Sequence, residues 1–182
     1  NGAGAASEAS DSVAPAAVPD APTITSGTPG NGTAALVWTA GADNGSPITG
    51  YTVSRAGTTV AVLSGSTYSF LDTGLTNGTT YSYTVTATNA QGTSADSNAL
   101  AVTPSTVPTA PTGIVVGVAS GTTVDVSWNA LADTVPSNGG SALTSYTVTS
   151  TPGGQTCSVA FGTETCTVTG LTTGQAYTFA VT

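Results

Sequence analysis

Two copies of one pattern run through this sequence about 90 residues apart. Internal repetition constrains a chain more than any local motif, because each copy has to be a folding unit of the same kind. Pro19-Asp20-Ala21-Pro22-Thr23 returns as Pro108-Thr109-Ala110-Pro111-Thr112, Trp38 as Trp128, Tyr51 as Tyr146, Leu75 as Leu171 and Tyr81 as Tyr177. The spacing lengthens between Trp128 and Tyr146, where LADTVPSNGGS is five residues longer than its counterpart GADNGS. Insertions of that kind fall in exposed loops. The 182 residues are enough for two small domains, each with its own core.

Within each copy the apolar residues alternate with a period of two. Leu36 and Trp38 oppose Ala35, Val37 and Thr39; Tyr51 pairs with Val53; Tyr81, Tyr83, Val85 and Ala87 share a face. That period belongs to strands, and Val, Ile and Thr fill it with side chains suited to a pleated surface. Asn44-Gly45, Asn77-Gly78, Pro29-Gly30 and Gly139-Gly140 punctuate the runs as turns. No segment reads as a helix. Many short strands at regular spacing predict an all-β sandwich or barrel.

The stretches WTAGADNGSPITGYTV (Trp38 to Val53) and GLTNGTTYSYTVTATN (Gly74 to Asn89) resemble the fibronectin type III module, and the likeness extends over essentially the whole chain. It implies tandem immunoglobulin-like β-sandwiches of seven strands each. On this resemblance Trp38 and Trp128 are core residues of the second strand, and Tyr51 and Tyr146 sit on the third. Leu75 with Tyr81, and Leu171 with Tyr177, form the corner into the sixth, the tyrosines being mainly buried with their hydroxyls bonded to nearby backbone.

The same likeness sets the expected boundaries. Residues 18–104 form one module, and residues 105–182 form a second without its seventh strand, since Thr182 aligns with Thr86 inside the sixth. Residues 1–17 match the final strand of a preceding or neighbouring module, because NGAGAASEASDSVAPAAVP aligns with NAQGTSADSNALAVTPSTVP with one gap. An unpaired sixth strand invites another strand. The expected partner is therefore a second copy, head to tail, with Ala5, Ser7, Ala9, Asp11 and Val13 beside Tyr177, Phe179 and Val181 of its neighbour. A covalent array with the same packing is the competing account.

Charge excludes whole classes of function. The net charge is -8, only 5% of residues are charged, and Arg55 is the lone cation, so no basic surface meets nucleic acid. No apolar run reaches the roughly 18 residues of a membrane span, and the first residues lack the pattern of a secretory signal. Without His or Lys, the usual catalytic bases and nucleophile partners are missing, so no catalytic, cofactor or metal residue is assigned and no enzyme is expected. Asp43 and Asp133 read as turn-building carboxylates; Glu8, Asp11, Asp96, Asp125 and Glu164 read as solvated surface charge, too scattered for calcium. Asn31, Asn44 and Asn77 match the glycosylation pattern, but Asn-Gly is also tight-turn chemistry.

Cys157 and Cys166 are the only cysteines, too few for a zinc site. They read as a disulfide formed in an oxidising compartment, with two buried free thiols as the alternative. A tight turn at residues 160–163 would set 157 opposite 166 across a hairpin, with α-carbons about 4.5 Å apart. The expected role is a secreted, extracellular or cell-surface spacer array or filament of repeating units. The rival reading is a non-catalytic accessory module of a secreted polysaccharide-degrading enzyme or adhesin, which requires a catalytic domain elsewhere in the parent chain. A binding module would need exposed aromatics, and only Tyr68 and Phe70 are left over for contact with carbohydrate.

Overall fold

The alternation seen in the sequence becomes burial in the computed structural model, which describes residues 2, 4, 5, 7–9, 11 and 15–182. Among the described residues there are fourteen strands and no helix. Contacts divide the chain into two compact units. One is built on Ala35–Asp72 and Tyr81–Val102 with the segment ending at Thr28; the other is built on Thr103–Thr182 with Pro29–Ala34 and Thr73–Thr80.

In the first sandwich, β1 (Thr23–Gly30), β2 (Thr33–Thr39) and β5 (Ser69–Thr73) form one sheet. The facing sheet orders β4 (Thr58–Ser64), β3 (Gly50–Arg55) and β6 (Tyr81–Asn89), with β7 (Gly92–Thr93) and β8 (Leu100–Val102) both on the far side of β6. All its pairings are antiparallel, with Tyr51 opposite Ala87 and Val53 opposite Val85. Ala34, Leu36 and Trp38 point inward from β2 and meet Tyr51, Val53, Tyr83, Val85 and Ala87 from the other layer. Strand β8 packs so closely on β1 that a Cβ on Gly27 would lie 2.6 Å from Val102 Cγ2, so a larger residue there would have to displace the Val102 and Leu100 side chains.

The second sandwich repeats the layers with fewer strands. One sheet orders β9 (Val115–Val116), β10 (Val124–Ser127) and β13 (Thr165–Val168); the other orders β12 (Thr156–Ala160), β11 (Ser145–Thr151) and β14 (Thr178–Val181). Its core gathers Val124, Val126, Trp128, Tyr146, Val148, Cys166, Val168, Leu171 and Val181.

Cys157 and Cys166 are bonded, but not across a hairpin. Cys157 lies on β12 opposite Val148, and Cys166 lies on β13 opposite Val126, so the bond joins the two sheets. The turn at residues 160–163 carries the chain from one sheet to the other, and the α-carbons stand 6.1 Å apart, wider than the 4.5 Å expected of a hairpin pair. The corner tyrosines Tyr81 and Tyr177 are partly buried, and the fully buried tyrosine of β6 is Tyr83. The Tyr177 hydroxyl accepts the Thr172 N–H at 3.0 Å, while the Tyr81 ring carries the Arg55 guanidinium 5.5 Å from its centroid.

Two stability outcomes follow. A C157A/C166A double variant frees a nine-residue separation in the unfolded chain, and the second sandwich loses about 2–3 kcal/mol, read by urea denaturation. Ala56 holds a positive φ of 49° at the turn between β3 and β4, ahead of Gly57. Such a conformation disfavours a Cβ and suits Asn, so Ala56→Asn raises stability by about 0.5–1 kcal/mol, seen as a higher melting temperature.

Candidate functional site

The chemistry-bearing side chains are dispersed by the fold into local structural tasks. Asp43 Oδ1 accepts the Gly45 N–H at 3.1 Å, and Asp133 Oδ1 accepts from Asn138 Nδ2 and the Leu143 N–H, so each carboxylate braces its own loop. Asp125 accepts the Thr167 hydroxyl between neighbouring strands. Among the described residues no group of three His, Cys, Asp or Glu side chains is placed to hold a metal ion.

One polar constellation was not anticipated from the sequence. Arg55 Nη1 donates to Asp72 Oδ2 at 2.7 Å, and the Tyr83 hydroxyl donates to the same oxygen at 2.8 Å. Arg55 and Tyr83 come from β3 and β6, whereas Asp72 comes from β5, so the chain's lone cation ties one sheet to the other. Burial, and then the Asp72 carboxylate, push the Tyr83 phenol well above its ordinary value. It stays a neutral donor. The only sequence signal was parity: Tyr83 shares the inward face with Val85 and Ala87, while the partners Arg55 and Asp72 lie 17 residues apart.

The residues expected to make an assembly edge are less uniformly placed. Strand β14 pairs with β11 through Val148–Val181, Thr149–Ala180, Ser150–Phe179 and Thr151–Thr178. Among the described residues nothing pairs with its other side. In the first sandwich that position beside β6 belongs to β8, with Tyr81 opposite Val102 and Tyr83 opposite Leu100. In the second a cavity of about 400 Å³ takes its place, lined by Val116, Gly117, Val124, Leu171, Tyr177 and Phe179 among others. Ala5, Ser7, Ala9 and Asp11 are exposed and belong to no strand, and Val13 lies outside the described residues. Nearby, Ala17 donates to the Asn44 carbonyl and accepts from Asn89 Nδ2, which fastens that stretch to the first sandwich.

The two-layered units, their tryptophan and tyrosine positions and their antiparallel ladders coincide with a family match: the model of the fibronectin type III domain fits residues 19–103 and 109–182. The chain belongs to the fibronectin type III family. It is 38% identical over 175 residues to Exoglucanase B of Cellulomonas fimi, covering 90% of this chain and 15% of that protein. It is 33% identical over 159 residues to Chitinase A1 of Niallia circulans, covering 80% of this chain and 20% of that protein. The chain thus spans at most a fifth of the length of these relatives. A crystal structure of chicken CNTN1 FN1-FN3 domains superposes with a TM-score of 0.53 at 16% identity, over 91% of this chain and 60% of that one, which bears on the fold alone. Fibronectin type III modules are non-catalytic.

The Tyr83 phenol gives a pH-dependent outcome. Its folded pKa lies above the ordinary value of 10.0, so its contribution is fully present below pH 10 and is lost as pH rises from there through the folded value. Melting temperature should therefore fall with alkali above pH 10, and the fall should be shallower in Tyr83→Phe.

Proposed function

We propose that this pair of modules is a non-catalytic spacer in a secreted enzyme that acts on polysaccharide. The observation that carries the reading is where its relatives keep a similar sequence: as a fifth or less of an exoglucanase and of a chitinase. The physical character of the chain suits the task. With no Lys and a single Arg engaged in an ion pair, the surface offers little to trypsin-like proteases, and there is no Met to oxidise. The disulfide fits an oxidising, extracellular setting. Each sandwich is a rigid body of fixed length, which separates flanking domains at lower entropic cost than a flexible linker of equal reach.

Head-to-tail filament formation is the second reading. It draws on the uncovered edge of β14, and the names of the relatives lend it no support, so the accessory role replaces it as the main one. Sequencing outward in the same reading frame tests the spacer role. A glycoside-hydrolase catalytic domain is the expected neighbour, and a frame holding only further repeats would overturn it. Sedimentation velocity addresses the second reading: a monomer at every concentration removes it, whereas growing polymers establish it.

A further inference from the structure

The two sandwiches bury homologous aromatic clusters but close them differently. In the second, Tyr146 packs against Trp128 and Phe161, with centroids 5.3 and 5.8 Å away, and its hydroxyl accepts the Leu131 N–H at 3.1 Å. Leu131 itself packs against that core. The cluster is capped and the Tyr146 hydroxyl is satisfied. In the first, Tyr51 packs against Trp38 and Tyr68 at 5.7 and 5.8 Å, but Ala40-Gly41-Ala42-Asp43 stands where the second has Ala130-Leu131-Ala132-Asp133. Gly41 has no side chain to serve as a cap, and none can be added, because a Cβ there would lie 2.5 Å from the Asp20 carbonyl oxygen.

Two consequences appear at that spot. A cleft of about 290 Å³ opens, with Gly41, Asp43, Tyr51 and Tyr68 in its lining. The Tyr51 hydroxyl, on a residue only 1% exposed, is buried with no hydrogen-bond partner. An orphaned buried hydroxyl costs free energy that a bound polar ligand recovers. Burial, and then the neighbouring Tyr68, raise the Tyr51 pKa, so the group remains a neutral donor and acceptor. Tyr68 at the mouth is 48% exposed and offers a ring face, and Asp43 at the rim offers carboxylate lone pairs beyond the one that takes the Gly45 N–H.

We propose that this cleft in the first module binds one ring of a neutral pyranose polysaccharide. A pyranose with equatorial hydroxyls has an apolar C–H face to lie on Tyr68 and a rim of hydroxyls that can reach Asp43 and Tyr51. The volume falls just below the roughly 300–1,000 Å³ of small-molecule sites, which suits a single ring and no more. A net charge of -8 and the rim carboxylate repel uronates and sulfated sugars, so the sugar is uncharged. The proposal rests on the polysaccharide-enzyme reading for its choice of sugars.

The test is titration of the 182-residue chain with cellohexaose and, separately, chitohexaose, followed by amide shifts in nuclear magnetic resonance. Saturable shifts confined to residues 40–51 and 65–68 are expected with at least one sugar, and the sugar that gives them identifies the ring. Tyr51→Phe removes a hydroxyl with no protein partner, so it should leave the melting temperature unchanged and weaken binding about five- to tenfold. Tyr68→Ala should weaken it by about tenfold or more. No saturable shift with either sugar, or shifts that survive both substitutions, would overturn the site. Failure here beside a catalytic domain in the reading frame leaves the spacer role standing, and binding in a frame of repeats alone does the reverse.

Discussion

Each sandwich is organised around an edge-on contact between a tryptophan from one sheet and a tyrosine from the other. Trp38 meets Tyr51 at 5.7 Å with planes inclined 62°, and Trp128 meets Tyr146 at 5.3 Å and 65°. Such a pair buries large apolar area and favours the tilted geometry through the ring quadrupoles. It also fixes parity. A one-residue slip of either strand would turn its aromatic to solvent, so the contact sets the register of both ladders. Both indole nitrogens are buried without a partner, a cost that the apolar burial of the rings outweighs.

Around that shared centre the two modules are cross-tied by different chemistry. The first uses the only cation in the chain, joining β3 and β6 to β5 through Asp72. The second has no cation, and a disulfide between β12 and β13 joins its layers instead. Each tie spans the sandwich rather than one sheet, so it resists sliding of the layers, which ladder hydrogen bonds within a sheet do not. In a chain with 5% charged residues, ion pairs cannot be repeated at will, which makes a covalent tie the natural substitute.

How much of this was legible depended on the range over which the signal acts. Repeat spacing, strand parity and turn dipeptides specified two all-β units of sandwich or barrel type, and the resemblance to the fibronectin type III module placed Trp38, Tyr51, Trp128 and Tyr146 in their cores, where the structure has them. The Cys157–Cys166 pairing was legible from count alone, but its geometry was not. Nine residues of separation fit a hairpin as well as a strand that switches sheets, and the choice is made by where β12 and β13 find partners, Val148 on one layer and Val126 on the other. Parity placed Tyr81 on the inward face, but its position at the end of β6 leaves it half-buried beneath Arg55, and Tyr83 takes the core place. Asp72 was missed because nothing in its sequence neighbourhood signals a partner on the other sheet. The open cleft was hidden for the same reason: that Gly41 replaces Leu131 is visible on alignment, but its effect on the Tyr51 hydroxyl requires the third dimension.

A shallow site for one sugar ring makes few contacts and binds weakly alone, which is compatible with a module that mainly sets distance. Tethering changes the consequence of weakness. Once a neighbouring domain holds the polymer, the cleft samples the same surface at an effective concentration in the millimolar range for short connections, so a contact negligible in free solution becomes populated. The stiffness of the sandwich then matters twice. It limits the orientations the cleft can present, and it loses little conformational entropy on contact because the Tyr51 and Tyr68 rings are already held against the core. Having one open cleft and one capped counterpart also makes the two modules unequal: the proposed contact belongs to the module with Gly41, while in the other Leu131 caps the aromatic cluster. On the proposed reading, a spacer with that asymmetry would resist detachment without fixing a neighbouring domain in place, because a weak contact releases and reforms.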